Sequence, residues 1–158
     1  MRLAAFFAVL LVGAISAPVL ADWKKGDAAY RKGEFQTAYK ELLPLVEKDD
    51  DRALYRVARI VIFGLGGVPK DPEAGLKMLR RAGDLNNQDA QMALGHLYMR
   101  GEGGVKRDIV FAYLWYGIAA NRGFQDAIRA REAVAKEMSR SQHDEGQRLL
   151  REWKPKNK

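Results

Sequence analysis

The chain has no cysteine in its 158 residues. Disulfides, cysteine-bound zinc and the lipid anchoring of a lipoprotein, which needs a cysteine, are all excluded, and an exported chain of this kind must be held by packing alone. Histidine is nearly as scarce. His96 and His143 fall in different predicted helices, so a closed zinc site would have to gather carboxylates from afar, and no metal is expected. Nucleotide loops are missing too: Gly101-Glu102-Gly103-Gly104 follows a helical pattern, lacks the sixth-position glycine of a dinucleotide loop and lacks the Gly-Lys-Ser/Thr ending of a P-loop. No cofactor is expected. Ser139 and Ser141 stand outside any nucleophile-elbow pattern, and Asp71 and Asp108 read as helix N-caps, with Pro72 at the favoured first helical position. With no acid–base pair, no catalytic residue is predicted and the chain is not expected to be an enzyme.

Long apolar runs are also lacking, since a bilayer-spanning helix needs roughly 20 such residues. From Ile109 to Ala120 every residue is apolar, aromatic or glycine, which at this length predicts a helix enclosed by its neighbours. The other run, Leu3 to Ile15, follows Arg2 and ends in Ser16-Ala17-Pro18 and Val19-Leu20-Ala21, the three regions of a cleavable signal peptide. Residues 1–21 are expected to be removed ahead of Asp22, leaving a periplasmic or secreted chain that is not an integral membrane protein. The remaining 158 − 21 = 137 residues suit one domain that buries roughly two-thirds of its unfolded surface.

Charge of one sign is not concentrated anywhere. The net charge of +7, or +6 without Arg2, is spread over Arg52, Arg56, Arg59, Lys77, Arg80, Arg81 and the tail. Nucleic acid is not an expected partner, because a binding groove would need basic residues with interleaved aromatics on one face. Weak, salt-sensitive attraction to an anionic envelope surface is a better use of such charge.

What the sequence does contain is a repeat. Gly64, Gly66, Gly67, Val68 and Asp71 recur as Gly101, Gly103, Gly104, Val105 and Asp108, an offset of 101 − 64 = 37. The same offset carries Ala53 to Ala90, Gly75 to Ala112, Met78 to Trp115, Ala82 to Ala119, Asp89 to Asp126 and Ala90 to Ala127 with no insertion. Asn86 stands where Gly123 recurs, and asparagine is the non-glycine residue that best tolerates a left-handed backbone. In the downstream copy Ala90, Ala93, Leu94, Leu97 and Tyr98 share one helical face, Gly101 ends that helix, Val105 plugs the corner and Asp108 caps the next.

On Ala90, Leu94-Gly95, Tyr98, Gly101, Gly103-Gly104-Val105, Asp108, Ala112, Trp115-Tyr116, Ala119-Ala120, Gly123 and Ala127, the chain resembles the Sel-one-like repeats, relatives of the tetratricopeptide repeat. The upstream copy is more degenerate, with Val57-Ala58, Val61 and Met78-Leu79 at the motif positions, and its helices are expected to pack less tightly. The fold implied is all-α, an α-solenoid of antiparallel helix pairs with a C-terminal helical cap. Units are expected at about 22–50, 51–88 and 89–126, with capping helices over 127–153 and a frayed basic tail at 154–158. The first unit has tetratricopeptide-like spacing through Gly26, Ala29-Tyr30, Gly33, Phe35, Ala38, Leu42 and Leu45, and Pro44 predicts a kink or early end near Leu43. In the cap, Ser139 and Gln142 have capping-box spacing ahead of a last helix reaching Trp153.

Such a resemblance implies a monomeric, non-catalytic adaptor that holds a protein or peptide partner on its concave face. The repeat places Tyr55, Arg59 and Ile62 at the helical positions of Met92, His96 and Met99, opposite the small-residue face. These six are the predicted partner-binding residues, with packing between units as the competing reading of Ile62, Met92 and Met99. The alternative function is an envelope factor that binds peptidoglycan or regulates a wall enzyme. An enzymatic version of it would draw on carboxylates such as Glu34, Glu41 and Glu102.

Overall fold

Apolar periodicity interrupted by capping residues produces eight α-helices and no strand among the described residues, 22–156 of a computed structural model. The expected signal segment, 1–21, lies outside them, as do residues 157–158. The helices are α1 (Trp23–Arg31), α2 (Phe35–Val46), α3 (Asp51–Phe63), α4 (Pro72–Asp84), α5 (Gln88–Arg100), α6 (Ile109–Ala120), α7 (Gln125–Glu137) and α8 (Arg140–Glu152). They form an all-α solenoid: α1 packs on α2, α3 on α4 and α5 on α6, each pair stacks on the next, and α7 and α8 close the end against α6.

The corner between paired helices is built twice in the same way. Gly64 ends α3 at φ 67° and Gly101 ends α5 at φ 71°, left-handed positions open to glycine without a steric penalty. The chain then turns back, and the Asp71 N–H donates to the Val61 carbonyl at 2.9 Å as the Asp108 N–H does to that of Tyr98 at 2.8 Å. Both aspartates cap the following helix: Asp71 accepts from the Ala74 N–H, and Asp108 from those of Val110 and Phe111. The turns that leave each unit repeat as well, with Asp49, Asn86 and Gly123 at φ 57°, 67° and 86°, spaced 86 − 49 = 123 − 86 = 37. At the far end, the predicted Ser139–Gln142 capping box is present.

One apolar cluster runs from α3 to α8 and a second joins α1 and α2 to α3. Ala53, Ala90 and Ala127, again 37 apart, are wholly buried, so small residues recur where helices approach most closely. Helix α6 is enclosed as its composition requires, apart from Phe111, which remains 40% exposed while stacking on Tyr98.

Three expectations are corrected. The early end near Leu43 is not seen: α2 runs through Pro44 to Val46, because the lost amide bond falls near the helix end while Leu42 is completely buried and Val46 packs on both clusters. The upstream α3/α4 pair is closely packed despite its degenerate motif. Gly75 replaces the alanine of the downstream copy, and a Cβ there would lie 2.9 Å from the Ala58 carbonyl oxygen and 2.5 Å from Ile62 Cγ1. Loss of aromatic volume is thus met by closer approach of the backbones. The tail is tied down as far as Lys156, whose N–H donates to the Asp84 carbonyl at 2.9 Å and whose Nζ pairs with the Asp84 carboxylate at 2.7 Å.

Candidate interaction site

The last two turns of α3 and the exposed side of α5 meet over a cavity of about 290 Å³. Its floor is apolar, formed by Ile62, Leu79, Ala93 and Leu97, while Tyr55, Arg59, Phe63, Met92 and His96 stand around it and Asp89 and Glu102 complete the rim. The 37-residue repeat causes this meeting. Equivalent helical positions in successive units lie on the same side of the stack, so Tyr55 and Arg59 line one cavity with their equivalents Met92 and His96.

Of the six residues singled out from the sequence, Tyr55, Arg59, Ile62, Met92 and His96 line this cavity. Met99 does not; it packs against the main apolar cluster. Ile62 is wholly buried and contributes floor, and Met92 is half-buried on the same cluster. Phe63 was missed. It is 43% exposed, one helical turn beyond Arg59, and its counterpart 37 residues later is the polar Arg100, so the break in the repeat at this position was the available signal. Asp89 stood in the sequence only as the repeat equivalent of Asp126, and Glu102 as a corner residue and one of the carboxylates of the enzymatic alternative.

Electrostatics centre on Arg59. Desolvation opposes its charge, but the phenols of Tyr30 and Tyr55 and the Asp89 carboxylate outweigh it and raise its pKa above the ordinary arginine value. Its Nη1 donates to the Tyr55 hydroxyl at 3.3 Å, and its guanidinium lies 5.9 Å from the Tyr55 ring centroid. No carboxylate is within ion-pair distance of it among the described residues. The neighbouring Arg56, by contrast, is paired with Asp27 at 2.9 Å. His96 meets the edge of Tyr116, and burial together with the Arg100 charge lowers its pKa; burial pushes the Tyr116 phenol up to about 12.

The arrangement is suited to holding a ligand: one half-buried cation, an apolar floor and an exposed aromatic at the lip. His143 lies apart, edge-on to Tyr113 at 5.3 Å. Among the described residues no group of three potential metal ligands comes together. No described helix is long and apolar enough to cross a membrane.

Comparison with known proteins agrees with this architecture. The Sel1 repeat pattern matches residues 51–87 and 88–124, so its units begin at the same places as α3 and α5. Two solved structures share the fold. A protective antigen of uropathogenic Escherichia coli strains that displays an SLR fold superposes with a TM-score of 0.71 at 24% identity, over 79% of this chain and 27% of the antigen. A Sel1 repeat protein from Oxalobacter formigenes gives a TM-score of 0.61 at 24% identity, over 80% of this chain and 54% of its own length. The chain thus spans about a quarter and about half of these two structures. Among curated proteins nothing matches. Residues 51–124 thus carry two consecutive Sel1 repeats, in the helical fold of other Sel1-repeat structures.

Proposed function

We propose that the chain is an exported, non-catalytic interaction module that takes a peptide segment of a partner protein into the cavity between α3 and α5. Sel1 repeats generally mediate contacts between proteins. The observation that carries this reading is Arg59, a half-buried guanidinium without a carboxylate partner above an apolar floor. Its surroundings hold the half-buried guanidinium charged, and a ligand carboxylate would gain short, charge-assisted contacts from its remaining donors. The segment that fits has an apolar side chain to place against Ile62, Met92 and Phe63, with an acidic group beside it for Arg59. A basic residue further along would meet Asp89 and Glu102 at the rim. Export rests on the signal-like residues 1–21.

The test is photo-crosslinking from position 63 in cells, repeated with Arg59→Gln. Crosslinked partners that disappear in Arg59→Gln, with an unchanged thermal melt, support the site. Capture of the same partners at the same yield from position 63 by Arg59→Gln combined with Met92→Gln refutes it. Fractionation with mass spectrometry tests export, which fails if residues 3–15 remain attached to the mature protein.

A further inference from the structure

A second cavity, of about 430 Å³, opens between α6 and the closing helices α7 and α8, away from the site above. We propose that it binds a phosphate group. Arg131 on α7 and Arg151 on α8 both face it, together with Tyr113, His143 and Gln147. Among the described residues neither arginine has an ion-pair partner, although arginines close by in sequence do: Arg129 pairs with Asp126, and Arg148 with Glu145 and Glu152. Two guanidiniums turned to one cavity repel each other, and a shared anion converts that repulsion into two charge-assisted contacts.

The cavity is also built from beneath. Arg131 lies against α6 beside Gly117, where a Cβ would be in ordinary contact with Arg131 Cδ at 3.6 Å, while Leu150 of α8 fills the space the glycine leaves, its Cδ2 at 2.8 Å. Tyr113 is only 3% exposed, and its hydroxyl oxygen accepts a hydrogen bond from Gln147 Nε2 at 3.0 Å, which leaves the hydroxyl proton free to be donated. Donors therefore converge from α6, α7 and α8. Three directions of approach suit a tetrahedral phosphate better than a planar carboxylate, which one fork satisfies in its own plane. Glu132 is the one acid at the cavity; it is exposed and without an ion pair, and it reduces the local charge of the two arginines from +2 to +1. The volume leaves space for an organic group on the phosphate, so the source is either a soluble phosphate compound or a lipid headgroup.

Calorimetric titration and thermal melts with inorganic phosphate and with glycerol 3-phosphate test the soluble source. Co-sedimentation with phosphatidylcholine vesicles, with and without phosphatidylglycerol, tests the lipid source. Saturable binding in either arm is expected to weaken about tenfold in Arg131→Gln and in Arg151→Gln, the scale of one lost charged hydrogen bond. Glu132→Gln should tighten it, and Arg148→Gln, on the same helix but already paired, should leave it unchanged. Binding that is absent in both arms, or equal in the Arg131→Gln/Arg151→Gln double variant, overturns the proposal. So does an equal loss in Arg148→Gln, which would mean that only diffuse surface charge is sensed. Because Glu132→Gln reports as a gain, the result does not depend on variants that lose stability.

Discussion

At Gly95 a single hydrogen atom decides how α5 meets α6. A Cβ there would lie 2.4 Å from Cε1 of Tyr116, whose ring is held from another side by His96. Gly95→Ala brings about 1 kcal/mol of helix propensity but an overpacking cost of about 1–3 kcal/mol, and the clash wins because the neighbour is an enclosed ring and not the free end of a flexible chain. The variant is expected to melt lower than the parent and to change the near-ultraviolet circular dichroism of its tyrosines. Both residues belong to the repeat motif and were legible in the sequence, as Leu94-Gly95 and Trp115-Tyr116. That they touch was not, because a motif gives spacing along the chain and no contacts across it.

At the level of elements, caps and corners were the most readable features, since each depends on residues adjacent in sequence. Asp71, Asp108 and Ser139 cap where the sequence places them. Pro44 shows the limit of local rules: it removes one donor from α2, yet the helix continues to Val46 because Leu42 and its neighbours are held by α1 and α3. Pro44→Ala should therefore stabilise the protein by about 2 kcal/mol, the roughly 3 of an interior helical proline less up to about 1 for the freedom regained by the unfolded chain. A rise in the urea midpoint at constant slope checks it; an unchanged midpoint would mean that the missing bond costs nothing this close to the helix end. Asp49 could have been found by extending the 37-residue offset one unit upstream, to the turn that now joins Asn86 and Gly123 as a third left-handed position. An aspartate between Lys48 and Asp50 does not look like a turn glycine, and only the backbone angle reveals it.

Across the whole molecule, the first unit is coupled to the second through Asp27 and Arg56. Asp27 is 8% exposed and pairs with Arg56 at 2.9 Å, and Arg56 lies over the Tyr30 ring, so α1 and α3 share one charged contact between two apolar layers. Asp27→Ala leaves the guanidinium without a carboxylate. It should cost about 3 kcal/mol, the lower end for breaking a buried pair, because 18% of the Arg56 side chain still reaches water. Thermal melts measure the loss, and Asp27→Ala combined with Arg56→Met should recover part of it. Sequence alone determined that this protein is a stack of helix pairs with a 37-residue period, capped at its far end, since periodicity, glycine corners and capping residues are local consequences of backbone sterics and hydrogen bonding. Tertiary structure decided which members of the Tyr55, Arg59, Ile62, Met92, His96 and Met99 stripe share a cavity, that Phe63 stands at its lip, that Gly75 draws the degenerate unit together and that Arg131 and Arg151 face one space. The physical reason is range: a helix face can be read from spacing, but what that face meets is set by the angle and distance at which whole helices pack, and these follow from all the side chains at once.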